Sequence, residues 1–235
     1  MKLFRNLRQS LIKEGNLKRY LLYALGEILL VMIGISLAFQ VDNWNEDRIK
    51  RNAEIQYYEN IRVQITDDKE LILEMVEFNN DFKAQFSYAN TLIETNNRDH
   101  MDSLGSIVRN LTQYSDFDRQ GNIYETMVNS GQIKLLRNQE IIDRIRTLEE
   151  KYLYINRMEN IHYDAMISHT ITSITPILKF SDASVQRPEL LFHYEFQNLL
   201  LSLVHIMNEK DKVYHQAIAE IDRINALIND ELNTN

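Results

Sequence analysis

The run Tyr20–Val41, YLLYALGEILLVMIGISLAFQV, holds 22 residues and a single charged side chain, Glu27. As a helix it measures about 33 Å, enough to cross the hydrocarbon layer of a bilayer. Before it stand Lys2, Arg5, Arg8, Lys13, Lys18 and Arg19 against one acid, Glu14; after it come Asp42, Glu46 and Asp47. The positive-inside rule therefore predicts residues 1–19 in the cytoplasm and 42–235 on the far side. Tyr20 and Tyr23 at one end, with Trp44 at the other, match the aromatic belts of a membrane span. The run is too long for the apolar core of a signal peptide, and no small-residue cleavage site follows, so the expectation is an uncleaved anchor. A buried helix of a soluble core is the competing reading, but such a helix is rarely apolar on every face over this length.

Within the span, Glu27, Val31, Gly34 and Ala38 follow a 4-3-4 spacing and share one face. Gly34 and Ala38 make a small-xxx-small pair, which lets two helix backbones approach closely. Glu27 lies two turns inside the cytoplasmic edge. A helix–helix contact is the favoured role; snorkelling to the headgroups is the alternative, and an ion path would need several copies. Residues 3–13, LFRNLRQSLIK, place Leu3, Leu7 and Leu11 on one face among basic residues. They read equally as an amphipathic helix on an anionic leaflet or as a flank that sets topology.

Two stretches carry a resemblance. FRNLRQSLIKEGNLKRYLLYALGEILLVMIGISLAFQVDNWNE, from Phe4 to Glu46, and YETMVNSGQIKLLRNQEI, from Tyr124 to Ile141, together resemble an uncharacterised family of bacteroidete single-pass membrane proteins. The marks are the FRNLRQ opening, the Tyr23–Glu27 YALGE box and Asn43-Trp44-Asn45-Glu46. The resemblance implies a Gram-negative inner membrane and a periplasmic body, and it implies no activity.

The chain has 235 residues, 26 basic and 34 acidic. Six basic and two acidic residues fall in 1–41, leaving 20 and 32 beyond, a net charge of −12. Nucleic acid, bound by neutralising phosphates, is excluded as a partner. The absence of cysteine removes disulfides and thiolate chemistry. Six glycines and two prolines favour long helices over a turn-rich β fold.

From Tyr58 the pattern is helical: Ile61, Ile65, Asp68, Ile72, Met75, Asn79, Phe82, Phe86, Ala89 and Ile93 step by threes and fours. The stripe predicts one helix to about Asn96, possible as a continuation of the span and reaching about 80 Å from Asp42. Asp68 and Asn79 interrupt it, as register-setting polar core positions do in coiled coils; the simpler expectation is two half-exposed sites. A turn at Asn96–Asp99 precedes a short helix marked by Met101, Leu104, Ile107, Val108, Leu111 and Tyr114. After a polar break, Asn122 with Glu125 predicts an N-terminal cap, and Gly131 a helix end with Gln132–Leu136 extended. Asn138 is expected to cap a helix through Ile141, Tyr152, His162 and His169, ending near Pro176. A loop over Ser181–Pro188 leads to a last helix from Phe196 to Leu232. These elements predict an all-α fold: a transmembrane helix (20–41) followed by an elongated antiparallel four-helix-like bundle (42–235).

Glu159 and His162 form an E-x-x-H, but no other histidine has an acid three residues before it, so a core pair is favoured over a metal site. His162, His169, His205 and His215 read first as hydrogen-bonded core histidines, with a pH-sensitive seam as the less favoured reading. No phosphate-cradling loop, nucleophile elbow or zinc motif occurs. No catalytic group, cofactor or metal site is therefore expected. The expectation is a non-enzymatic scaffold or interaction module, with lipid and a second copy or membrane protein as partners. The alternative is a sensory or ligand-binding body signalling through a membrane partner.

Overall fold

The computed structural model describes residues 17–119 and 121–233. The chain divides into two compact units, Met1–Glu54 and Ile55–Asn235. Helix dominates both, as the spacing predicts. Its order is α1 (Leu17–Glu94), α2 (Met101–Asn110), α3 (Ile123–Asn129), a 3-10 turn (Gln132–Leu135) and α4 (Gln139–Ala165). A π-helical turn (Met166–Thr170) then leads to α5 (Ile171–Ile174), β1 (Leu178–Lys179), β2 (Ser184–Val185), α6 (Pro188–Leu191) and α7 (Tyr194–Asn233).

In the first unit, α1 runs without a break through the apolar stretch, and among the described residues it is the one helix long and apolar enough to cross a membrane. Thirteen large apolar side chains from Leu21 to Val41 are each at least half exposed. The calls on Lys2, Arg5, Arg8, Lys13 and the 3–13 helix lie outside the described residues, as do the side chains of Arg19 and Tyr20.

In the second unit, α7 runs antiparallel to both α1 and α4. Arg62 meets Asn229 and Lys69 meets Asp222, whereas Asn79 meets Asp211. Likewise Asn138 meets Glu231 and Arg144 meets Glu220. Two apolar cores form. One gathers Tyr58, Ile65, Phe117, Ile145, Tyr152 and Ile221. The other gathers Phe86, Leu104, Ile174, Leu191, Leu200 and Met207.

Local chemistry sets two helix starts and one helix end. The Asn122 Oδ1 accepts from the Glu125 N–H at 2.9 Å and opens α3. Asn138 Oδ1 accepts from the Glu140 and Ile141 N–H groups at 3.0 and 3.2 Å and opens α4. Gly131 follows α3 with φ +73°, a left-handed conformation that a side chain would strain.

Four expectations are corrected. Gln132–Leu135 is a 3-10 turn and not extended, because Gly131 reverses the chain into a tight bend. Helix α2 stops at Asn110, so Tyr114 lies beyond it. The Ser181–Pro188 loop includes β2, paired antiparallel with β1 through Leu178–Val185 and Lys179–Ser184. Asp68 and Asn79 are wholly buried, not half-exposed: Asp68 accepts from Tyr152 on α4, and Asn79 Nδ2 donates to α7 while its Oδ1 has no hydrogen-bond partner.

Candidate functional site

Every long element of the second unit turns a polar side chain inward where one apolar core gives way to the other. Helix α1 supplies Asn79, the α2–α3 connector supplies Ser115, α4 supplies Glu159 and His162, and α7 supplies Lys210 and Asp211, all buried. Burying polar groups is costly unless they find partners. Asn79 Nδ2 donates to Asp211 Oδ1 at 2.6 Å and to the Met207 carbonyl at 3.0 Å. Lys83 forms an ion pair with the same Asp211.

The connector is held from two sides. Lys210 Nζ donates to the Ser115 carbonyl at 2.8 Å and lies 3.4 Å from His162 Nδ1. Glu159 Oε1 accepts from the Phe117 N–H at 2.9 Å and from the Tyr214 hydroxyl, which also contacts Ser115 Oγ at 3.1 Å. The other oxygen, Oε2, is buried without a hydrogen-bond partner. Further along, Arg119 pairs with Glu149 and lies 5.8 Å over the ring of Tyr152, whose hydroxyl donates to Asp68 at 3.0 Å.

Burial dominates the electrostatics. It pushes Glu159 up to about 7, against the lowering effects of the Tyr214 hydroxyl, Lys210 and the Phe117 N–H. It holds Lys210 down to about 8, opposed by Glu159, Asp116 and Asp211. It lowers His162 to about 3, helped by the Lys210 charge, so the imidazole is neutral at ordinary pH. Glu159 and His162 both point into the polar layer, yet the described residues contain no group of three or more metal-ligating side chains.

The expectation of four core histidines is corrected: His162 is buried, whereas His169, past the start of the π turn, and His205 and His215 on the outer face of α7 are exposed. The sequence marks Glu159 and His162 by their spacing but gives no sign of Lys210, a lysine on a stripe of apolar positions.

The residues singled out in the apolar run sit on α1. Glu27 and Tyr23 are half-buried, whereas Val31, Gly34, Ala38, Trp44 and Lys18 are exposed. The Arg48 guanidinium lies 5.5 Å over the Trp44 ring. At Gly34 an added Cβ would meet nothing within 4 Å, so the notch beside Ala38 is open.

The family model of DUF6090, a family of unknown function, matches residues 27–209. The chain belongs to this family. The DUF6090 match takes in Glu27, Gly34 and Ala38, all of the Tyr124–Ile141 stretch, and Glu159 with His162. It ends one residue before Lys210. No curated protein and no solved structure matches the chain.

Proposed function

We propose that this DUF6090 member is a single-pass membrane protein, a non-enzymatic scaffold whose helical body lies in the periplasm. The observation that carries the reading is the exposed apolar run of α1. Removing a large apolar side chain from water is worth about 1.5–3 kcal/mol. Thirteen such residues that enter no core therefore represent on the order of 20 kcal/mol or more, which lipid would supply. The basic residues before the run favour a cytoplasmic N-terminus. The resemblance to bacteroidete single-pass proteins favours a Gram-negative inner membrane. In this reading 55–235 is a four-helix-like bundle in which α2 and α3 share the fourth place.

The Glu27, Val31, Gly34 and Ala38 face is the contact with a second copy or a membrane partner, since small residues allow close helix packing. The test is light scattering and crosslinking of the full chain in mild detergent. Self-association that Gly34→Leu abolishes is the expected result; a monomeric wild-type protein counts against the scaffold.

A second reading, a sensory body, is favoured by the buried Glu159, His162 and Lys210. Charged groups in a core weaken it unless something is gained in return, and a titratable layer beside the α2–α3 connector is a means of responding to a signal.

A further inference from the structure

Beside the connector, α1, α3 and the 3-10 turn line a half-open surface cleft of about 270 Å³. Its floor is apolar, built from Ile61, Ile123 and Met127. The polar residues that line it are Asn60, Gln64 and Gln132, which bear amides, and Thr126 and Tyr57, which bear hydroxyls. Asn122 also lines it but is spent on capping α3. Among the described residues none that lines the cleft is charged, although charged residues make up 26% of the chain. Such a surface offers an ionic ligand no counter-charge for its lost hydration. Gly121 adds a separate observation: a Cβ there would come within 2.7 Å of Gln64 Nε2. The absent side chain leaves room for the Gln64 amide at the edge of the cleft.

We infer that this cleft binds a small uncharged polyhydroxylated ligand, the size of one sugar ring. Amides and hydroxyls each donate and accept, and so do sugar hydroxyls. The apolar floor and the Tyr57 ring match the C–H faces of a pyranose. The volume corresponds to about nine waters at their liquid share of 30 Å³, near the lower end of ligand pockets. A peptide strand fits less well, because backbone pairing needs an open sheet edge and α1 and α3 use their backbone groups internally. The assignment gives the sensory reading its ligand class. It rests on residues of the second unit alone, so its failure leaves the self-association test untouched.

The test uses the full chain in a detergent without a sugar headgroup. D-Glucose, D-galactose and N-acetyl-D-glucosamine are added at millimolar concentrations, with D-glucuronate as the charged control. Melting temperature and saturation-transfer NMR are read together. At least one neutral sugar is expected to raise the melting temperature and receive saturation, and glucuronate neither. Gln64→Ala and Gly121→Ala are expected to lose the effect at least tenfold while retaining the wild-type circular dichroism. No response to any neutral sugar overturns the proposal. So does binding unchanged in both folded variants, or glucuronate binding as well as the neutral sugars.

Discussion

At Glu159 the two carboxylate oxygens meet different surroundings: Oε1 takes two hydrogen bonds and Oε2 takes none. A proton added at Oε2 breaks neither bond. The folded state therefore holds that proton more tightly than the unfolded chain between pH 4.5 and about 7. This contribution favours folding at and below pH 4.5 and is lost as pH rises to 7. His162 works the other way: its folded value is depressed from 6.5 to about 3, so its contribution is present above 6.5 and lost as pH falls. The two oppose each other from 4.5 to 6.5. Replacing Glu159 with Gln removes one of them. Urea unfolding across this range should show E159Q gaining on wild type by up to about tenfold in folding equilibrium per pH unit as pH rises; a pH-independent difference contradicts the raised carboxyl. Tyr152→Phe, which deletes a hydrogen bond to the buried Asp68, is expected to cost about 1–3 kcal/mol in the same assay. The sequence exposed Asp68, Asn79 and the Glu159–His162 spacing as irregularities. It did not reveal that Asp68 is bonded from α4 and Asn79 Nδ2 from α7, because those partners lie 84 and 132 residues away.

The two asparagine caps, at Asn122 and Asn138, were legible, since a cap is written in neighbouring residues. Asn138 is the clearest case, closing two N–H groups of α4 and reaching Glu231 on α7 at 2.7 Å. Asn138→Ala should lower stability by about 1–2 kcal/mol, measured by thermal or urea denaturation. The β1–β2 hairpin and the π turn were not legible. Two-residue strands carry no period, and an extra residue in a helix leaves no pattern of its own. The hairpin also explains Gly105. A Cβ on that residue would fall 2.0 Å from the Ala183 carbonyl oxygen, so α2 packs against the hairpin backbone with no room for a side chain. Gly105→Ala is expected to destabilise by at least about 1–3 kcal/mol, the range for overpacking, with the loss visible as faster hydrogen exchange in α2 and the hairpin.

For the whole molecule, the all-α class follows from helical periods and scarce glycine and proline, and the exposed apolar stretch of α1 from one uniform run. Two acids placed in that run, Leu30→Asp with Ile33→Asp, each cost about 2.5–3.5 kcal/mol near a bilayer centre. The doubly substituted chain should be released by carbonate from membranes that retain the wild type. The antiparallel pairing of α1 with α7 has a consequence for synthesis. Arg62 and Asn229, in contact when folded, are separated by 167 residues of chain, and Lys69 and Asp222 by 153. The ribosome thus completes the greasy stripe of α1 long before its mate exists, and sequence-distant pairings close slowly. Until the last helix emerges, part of that stripe is what a holding chaperone would grasp, and a chain cut short before Tyr194 would leave the side that meets α7 open to aggregation.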